Sequence, residues 1–304
     1  MNSMFNNLSR QTQGWLYGII SQILWGTSGV TIKLIDSVIP SSLLVSLRHG
    51  IGAITLGLLI MRGKTMVLKN LPLVHLILLG IFAAGLPDLL LVEAIRRSGA
   101  IISTMLARVE IPLGVILAHL LLKEKVGKSA YLAGLISIIG VWFISYQPEQ
   151  KITLDNQFYV GILCALGAAI LWALSSVYAK YILNKKTDPL ALSFVRISIG
   201  SIFALAITML FIHDPFLSLQ QLNLQDWTLI VYLGIFLSGL GYLFFYRSLK
   251  LLDAHVAIVL IGLTIVVLLI SGLLIGETIR PMQWIGIALV VASIFLVKKP
   301  IPVD

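Results

Sequence analysis

Charged residues are scarce in this sequence. Asp, Glu, Lys and Arg make up 12% of its 304 residues, whereas 58% are hydrophobic, and the mean hydropathy is +0.99. Water-soluble domains carry about 25% charged residues. A soluble fold could not bury this much apolar surface, so the composition excludes a soluble protein and indicates a membrane protein.

Cysteine and the usual motifs of enzymes are also lacking. Cys164 is the single cysteine, which excludes an intrachain disulfide and a thiolate metal cluster. The sequence has no H-E-x-x-H zinc motif, nucleophile elbow or dinucleotide fingerprint. Gly57, Gly63, Lys64 and Thr65 imitate a phosphate-binding loop, but five residues rather than four separate the glycines. We therefore expect no enzyme activity, no cofactor, no metal and no use of ATP.

Long apolar runs recur along the chain. A bilayer core about 30 Å thick is crossed by roughly 20 helical residues, and these runs are continuously apolar rather than alternating as in barrel strands. The sequence predicts an all-α integral membrane protein with ten transmembrane helices. They are placed at 14–34, 41–61, 73–95, 100–122, 128–146, 157–182, 188–212, 226–250, 254–275 and 280–297.

Positive charge is divided unevenly between alternate loops. One set includes both tails, 1–13 and 298–304, and holds Arg10, Arg62, Lys64, Lys69, Lys123, Lys125, Lys128, Lys185, Lys186, Arg247, Lys250, Lys298 and Lys299. The other set holds Lys33, Arg96, Arg97, Lys151 and Arg280. Because Lys and Arg accumulate in cytoplasmic loops, we place both termini in the cytoplasm. The compact loops favour a bacterial inner membrane. This topology accounts for the net charge of +9, so no nucleic-acid partner is expected. The N-terminus lacks a small-residue cleavage site, so the first helix is expected to be retained.

The sequence repeats itself at a spacing of about 147 residues. GWLYGIISQILWGTSGVTIK at 14–33 aligns with GILCALGAAILWALSSVYAK at 161–180. With small shifts the register continues through Arg48/Arg196, Gly52/Gly200, LGIF at 79–82 and 233–236, Gly85/Gly239, Ala100/Ala254, Glu124/Glu277 and Gly134/Gly286. The repeat units are 14–146 and 157–297, with five helices each. Because five is odd, the two units should have inverted topology, which is typical of carriers that alternate between two mirrored states.

Helix-breaking residues lie at matching places in the two units. Gly85-Leu86-Pro87-Asp88 in the third helix aligns with Gly239-Leu240-Gly241-Tyr242 in the eighth. Paired interruptions of this kind indicate the binding site of a transporter, whereas small residues also permit close helix packing. Gly85, Pro87, Gly239 and Gly241 are therefore candidate hinge or helix-break positions.

Five ionisable residues stand out inside the predicted helices: Arg48, Asp88, Arg108, Glu110 and Arg196. A charge at the bilayer centre costs about 2.5–3.5 kcal/mol, so each should face a partner or a water-filled cavity. Arg108 and Glu110 are two residues apart, about 200° around a helix, and are not expected to pair. Asp88 is expected to pair with Arg108 or Arg48, which would leave one guanidinium and Glu110 for a substrate or a proton. A closed structural ion network is the alternative.

Other polar residues in or near the helices are interpreted as structural. His49 and His119 are expected to be satisfied packing histidines, with a role as proton carriers the alternative, and Glu93 is expected to pair with Arg96 and Arg97. Glu124 and Glu277 are expected to stabilise helix ends. The aromatic residues on the central helices either stack on a ligand or fill the bundle. They are Trp25, Trp172, Tyr178, Tyr242 and Phe245.

The pattern resembles the EamA family of the drug/metabolite transporter superfamily over essentially the whole chain. The residues that carry the resemblance are the LW pairs at 24–25 and 171–172, LLLKEKV at 120–126, LLIGETI at 273–279, and ARVEIPLGVILAHLLLKE at 107–124. The resemblance implies two inverted halves of five helices, a central cavity, and export or exchange of metabolites. Family members often carry a Glu-Pro step in the fourth helix, where this sequence reads Glu110-Ile111-Pro112.

Within the helices three arginines outnumber two carboxylates, and helix breaks can direct backbone amides at anions. We predict a secondary transporter of a small metabolite, an amino acid or related carboxylate compound, acting as an exporter or exchanger. Nucleotide-like or phosphorylated metabolites are the alternative substrates, and a lipid-handling protein or a channel is the alternative class. The predicted partners are a small-molecule substrate, the lipid bilayer and, as candidate coupling ions, protons, with the protein a monomer or weak dimer. The candidate substrate-binding residues are Glu110, Arg108, Arg48, Asp88, Arg196, Trp25, Trp172, Tyr178 and Tyr242, and Glu110 is also the candidate for proton coupling.

Overall fold

A computed structural model describes residues 8–35, 39–63, 73–145, 156–185, 187–215, 217–273 and 280–297. The side chains at 29, 33, 100, 101, 145, 272 and 273 are not described. Several predictions from the sequence lie outside the described residues. They are the C-terminal tail 298–304, most of the N-terminal tail 1–13, the helix ends at 146 and 274–275, Glu277, the side chain of Lys33 and the lysines at 64, 69, 151, 186, 298 and 299.

The described residues form helices and no strand. The α-helices are α1 Arg10–Gly26, α2 Ser28–Leu34, α3 Ser41–Gly63, α4 Leu73–Gly80, α5 Leu86–Ser98, α6 Ala100–Ala107, α7 Glu110–Leu122, α8 Lys128–Ser145, α9 Asn156–Asn184, α10 Pro189–Phe211, α11 Leu224–Tyr232, α12 Tyr242–Leu251, α13 Ala254–Val259, α14 Leu263–Leu273 and α15 Pro281–Val297. Short 3₁₀ turns lie at Leu217–Gln221 and Leu260–Gly262, and π-helical segments lie at Ile81–Gly85 and Leu233–Gly241. The expectation of an all-α protein is confirmed for this part of the chain.

Among the described residues, seven helical stretches, counted across short turns and π-helical segments, are long and apolar enough to cross a membrane. They are Ser41–Gly63, Leu73–Ser98, Ile102–Leu122, Asn156–Asn184, Pro189–Phe211, Leu224–Leu251 and Ala254–Ser271. Two further helices, at Lys128–Ile144 and Pro281–Val297, are also apolar but shorter. Large apolar side chains on the outside, such as Met61 and Phe211 at 77% and 76% exposure, suit contact with lipid rather than water.

The first predicted transmembrane helix is two helices rather than one. α1 ends at Gly26 and α2 begins at Ser28, with Thr27 between them. The Thr27 hydroxyl lies 2.7 Å from the Leu24 carbonyl oxygen and 2.9 Å from the Tyr232 hydroxyl. A threonine side chain that bonds a carbonyl of the preceding turn competes with regular helical bonding, so the α-helix is interrupted where two distant segments meet.

Each half of the chain contains a π-helical segment at the position where the sequence places its paired glycines. Ile81–Gly85 joins α4 to α5, and Leu233–Gly241 joins α11 to α12. Gly85, Gly239 and Gly241 lie within these segments, and Pro87 lies in the first turn of α5. The helices are therefore not broken at these glycines but widened, and such π segments are frequent at functional sites.

Helices of one half pack against helices of the other. α3 packs against α10, α8 against α15, α1 against α12, and α5 against α9. α3 and α10 contain Gly52 and Gly200, which are equivalent in the sequence repeat. A methyl group added at Gly52 would lie 2.8 Å from the Gly234 oxygen, and one at Gly200 would lie 3.3 Å from the Gly80 oxygen. These contacts are reciprocal, because Gly80 and Gly234 also occupy equivalent positions.

One end of the molecule is held together by polar contacts between the two halves. Glu124 lies between α7 and α8 and accepts hydrogen bonds from the backbone N–H groups of Ala254 and His255, at 2.7 and 3.2 Å. Its Oε2 atom also lies 2.7 Å from His255 Nδ1. Burial alone would raise the pKa of Glu124. These hydrogen bonds outweigh burial and hold that pKa below its ordinary value of 4.5. Glu124 therefore caps the start of α13, as expected of a structural glutamate.

Candidate functional site

A cavity lies where the two halves meet. It leaves about 100 Å³ open to the centres of water molecules. Eight of the nine candidate binding residues line it: Trp25, Arg48, Asp88, Arg108, Glu110, Trp172, Arg196 and Tyr242. The other lining residues are Ser28, Ile32, Leu91, Val92, Ser175, Ser176, Leu237, Ser238, Phe245, Tyr246, Ile261 and Thr264. The charged and aromatic residues singled out in the sequence therefore converge on one place.

Tyr178 is the exception and does not line this cavity. Its hydroxyl contacts His75 Nδ1, and its ring stacks on Tyr181 with centroids 6.3 Å apart. Six residues separate it from Trp172 on α9, which amounts to about 9 Å along the helix and about 120° around it. Tyr178 therefore lies on a different face of α9 from Trp172, and its role in substrate binding stays a prediction.

Asp88 forms an ion pair with Arg48, one of the two partners expected from the sequence. Asp88 Oδ2 is contacted by Arg48 Nη2 and lies 3.1 Å from His49 Nε2. His49 Nδ1 lies 3.0 Å from Ser238 Oγ, which links this cluster to the second π segment. Asp88 and His49 are 2% and 0% exposed. The first half thus holds its arginine against a carboxylate in the interior, and His49 is a buried histidine whose polar neighbours are Asp88 and Ser238.

Arg108 and Glu110 do form an ion pair, contrary to the expectation from helical spacing. Arg108 Nη1 lies 3.0 Å from Glu110 Oε1, and both side chains are buried. The expectation was wrong because the chain is not helical between them: α6 ends at Ala107 and α7 begins at Glu110. Pro112 has no N–H to donate to the Arg108 carbonyl, which instead accepts from Ile111 N at 2.9 Å. The resulting tighter turn brings the two side chains together.

Arg196 is held without a carboxylate in the part of the chain that the structure describes. Its Nη2 donates to the Ala83 carbonyl in the first π segment, and its guanidinium carbon lies 3.6 Å from the centre of the Tyr242 ring. The residue is 2% exposed, and its Nε and Nη1 have no hydrogen-bond partner among the described residues. A buried guanidinium with two unused donors beside a cavity can bind an anion.

The charges around the cavity do not balance. Its lining contains three arginines and two ionisable carboxyl groups, and each carboxyl group faces its own arginine. With both carboxyl groups ionised, one positive charge is left over, and geometry assigns it to Arg196. Buried charge without compensation is costly.

The two tryptophans that mark the repeat differ in their contacts. Trp25 Nε1 donates to the Leu237 carbonyl at 3.2 Å, and its ring packs edge-on against Tyr242 with centroids 4.8 Å apart. Trp172 Nε1 is buried and has no partner among the described residues. Leu237 and Ala83 are equivalent in the repeat, so each π segment offers the same carbonyl to a side-chain donor from the other half. Of the two indole N–H groups, only that of Trp172 lacks an acceptor among the described residues.

Several polar residues of the cavity were missed in the sequence. Thr264 Oγ1 donates to Gln22 Oε1 at 2.7 Å, and Ser175, Ser176 and Ser238 line the cavity wall. Serine and threonine are common in helix contacts within membranes, so composition provided no signal for them. The repeat provided one for Thr264, which aligns with Glu110.

Apart from His49, the described polar residues interpreted as structural do not contact the cavity-lining charges. Glu93 pairs with Arg97 at 3.1 Å, while Arg96 donates to the Ile39 carbonyl instead of to Glu93. His119 Nδ1 lies 3.0 Å from the Glu124 carbonyl oxygen. Among the described residues no group of three or more His, Cys, Asp or Glu side chains could hold a metal ion.

Comparison with known proteins decides the family. The model of the EamA-like transporter family matches this chain twice, at residues 12–146 and 159–298. The chain belongs to the EamA-like transporter family. It is accordingly a multi-pass membrane protein and a transporter of the drug/metabolite superfamily, and the resemblance seen in its sequence is confirmed.

Relatives of this EamA-like transporter come from archaea and bacteria. An uncharacterized transporter of Archaeoglobus fulgidus is 27% identical over 291 residues, covering 94% of this chain and 98% of the relative. The uncharacterized transporter YwfM of Bacillus subtilis is 24% identical over 292 residues and covers 93% of each. The uncharacterized transporter YyaM of the same species is 28% identical over 60% of this chain and 59% of its own length. A crystal structure at 18% identity superposes with a TM-score of 0.80 over 95% of this chain and 97% of that one, so the two share a fold.

Proposed function

We propose that this EamA-like protein is a secondary transporter of a small carboxylate-bearing metabolite, an amino acid or a related compound. It would export or exchange this solute by alternating access around the central cavity. The observation that supports the proposal most is Arg196, whose guanidinium lines the cavity with unused donors and without a carboxylate among the described residues.

A carboxylate ligand would supply the negative charge and the hydrogen-bond acceptors that Arg196 lacks. Arginine binds carboxylates through parallel charge-assisted hydrogen bonds, and Arg196 Nε and Nη1 are the unused donors. Asp88 Oδ1 is buried and lacks a partner among the described residues, so it provides an acceptor for a ligand ammonium group. An amino acid carries both groups.

The transport cycle that we propose rests on inverted repeats of five helices, ten in all. Two family matches in one chain and the reciprocal glycine contacts of α3 and α10 support two equivalent halves. An odd number of helices in each half would invert one half relative to the other, and rocking of such halves gives alternating access. The distribution of Lys and Arg supports cytoplasmic termini in a cell membrane.

Glu110 is the proposed site of proton coupling. It lines the cavity and pairs with Arg108 across a turn rather than a helix. Protonation of Glu110 would free the Arg108 guanidinium, which would change the charge presented to the solute. Transport coupled to a proton gradient needs a link of this kind between a titrating group and the binding site.

The proposal is tested by reconstituting the purified protein in liposomes and measuring uptake of labelled amino acids, nucleosides and phosphorylated metabolites, with and without a pH gradient. We expect saturable uptake of a carboxylate compound and acceleration by unlabelled solute on the far side, which distinguishes a carrier from a channel. Uptake of phosphorylated compounds alone would favour the alternative substrate class. Folded protein that moves no solute under any gradient would overturn the proposal.

A further inference from the structure

The two arginines that match in the repeat have different partners. Arg48 is equivalent to Arg196, and Asp88 is equivalent to Tyr242, because LGIF at 79–82 aligns with LGIF at 233–236. Arg48 forms an ion pair with Asp88, whereas the guanidinium carbon of Arg196 lies 3.6 Å from the centre of the Tyr242 ring. The same arrangement thus holds one arginine against a carboxylate and the other against a neutral ring.

The partner determines how much positive charge each arginine presents to the cavity. A carboxylate cancels the guanidinium charge and uses its donors, whereas an aromatic face attracts the cation through its quadrupole and leaves the net charge in place. The second ion pair of the first half also has no counterpart, since Gly262 and Thr264 align with Arg108 and Glu110. The uncompensated charge of the cavity therefore follows from the residue at position 242.

We infer that Tyr242 determines the charge selectivity of this cavity: a tyrosine there leaves Arg196 free to bind the anionic group of a ligand, and a carboxylate there would select neutral or cationic solutes. The inference rests on the proposal that this cavity is the transport site. It assigns to Arg196 the contact with the ligand and to Tyr242 the positioning of Arg196.

The test compares two substitutions that differ only in charge, Tyr242→Asp and Tyr242→Asn. The probes are matched pairs in which an amide replaces a carboxylate: benzoate with benzamide, succinate with succinamide, and phenylalanine with phenylalaninamide. Binding to purified protein in detergent is measured from the rise in unfolding temperature with probe concentration. Because Tyr242→Asp creates a new buried carboxyl group, Arg196→Gln serves as a second variant that removes the same cationic site without adding a charge.

We expect the wild type and Tyr242→Asn to bind the carboxylate of at least one pair more tightly than its amide. Tyr242→Asp and Arg196→Gln should each reduce that preference about tenfold or more, the effect of losing one charge-assisted contact. Equal preferences in Tyr242→Asp and Tyr242→Asn, including no preference in either, overturn the inference. The same holds if Tyr242→Asp does not fold and Arg196→Gln keeps the wild-type preference.

Counterflow of the same compounds in liposomes distinguishes the two proposals. A shift of binding preference without counterflow in any protein would leave the selectivity inference standing and contradict the transport proposal. Counterflow by the wild type with an unchanged binding preference in Tyr242→Asp and Arg196→Gln would support the transport proposal and contradict the selectivity inference.

Discussion

Gly52 lies so close to Gly234 that a methyl group on its α-carbon would be 2.8 Å from the Gly234 oxygen. The nearest atoms also include the backbone nitrogen of Gly239, at 2.9 Å. Backbone atoms cannot move aside as a flexible side chain can. Helix α3 and the second π segment are therefore in contact through their backbones, and glycine is required at position 52 for steric reasons.

Gly52→Ala is expected to destabilise the protein. The added methyl group overpacks a backbone contact, which costs about 1–3 kcal/mol. Gly134→Ala is the matched control, since its methyl group would meet Pro112 at 3.6 Å, an ordinary contact distance. The unfolding temperature in detergent should fall in Gly52→Ala and stay close to wild type in Gly134→Ala. An equal change in both would show that the close approach at Gly52 is not real.

Glu110→Gln is expected to remove the dependence of transport on a pH gradient. The amide cannot release a proton, so the ratio of uptake with the gradient to uptake without it should fall to about one. Glu93→Gln is the control, because its pair with Arg97 is about one-third exposed and lies outside the cavity. Loss of the Glu110 charge leaves Arg108 buried without its partner, so the double variant Arg108→Gln/Glu110→Gln should unfold at a higher temperature than Glu110→Gln. A gradient ratio in Glu110→Gln equal to that of the wild type would exclude the coupling role.

Trp172→Ala is expected to weaken solute binding, whereas Tyr178→Ala is not. Trp172 lines the cavity and Tyr178 does not, although both lie on α9. Loss of the Trp172 ring should raise the half-saturation concentration of the transported solute up to about tenfold, since an aromatic contact is worth about 0.5–1.5 kcal/mol. Tyr178→Ala should leave that concentration within about twofold. A larger effect at Tyr178 would place the solute elsewhere.

Glu124→Gln should lower the free energy of unfolding most at neutral pH. The carboxylate accepts three hydrogen bonds near α13, and loss of its charge should cost about 1–2 kcal/mol. Because the folded pKa lies below the ordinary value of 4.5, the contribution is complete above pH 4.5 and is lost as the pH falls through the folded pKa. The difference in unfolding temperature between wild type and Glu124→Gln should therefore shrink from about pH 7 to about pH 3.5. A difference that stays constant or grows on acidification would contradict this assignment.

The convergence of charged residues on one cavity was predictable because charge is costly in a membrane. Arg48, Asp88, Arg108, Glu110 and Arg196 stand out in apolar helices for that reason alone. The repeat located the π segments as well, since glycines recur in register at 85 and 239. Glycines mark a place where a helix can change, but they do not distinguish a kink from a π turn, so the type of irregularity could not be predicted.

The errors came from treating each transmembrane segment as one regular helix. Arg108 and Glu110 were kept apart by helical spacing, although Pro112, four residues after Arg108, indicates that a helical hydrogen bond is missing there. Thr27 interrupts the first segment through a tertiary contact with Tyr232, which no local pattern reveals. Tyr178 was grouped with Trp172 because both lie on a central helix of the repeat, without regard to helical phase.

The most direct test of this account is counterflow of a carboxylate solute by the wild type, Arg196→Gln and Arg62→Gln in liposomes. Arg62 lies at the exposed end of α3 and provides the same change of residue outside the cavity. We predict saturable counterflow in the wild type and in Arg62→Gln, and a decrease of about tenfold or more in the ratio of rate to half-saturation concentration in Arg196→Gln. Equal counterflow in all three proteins would contradict the claim that Arg196 binds the solute.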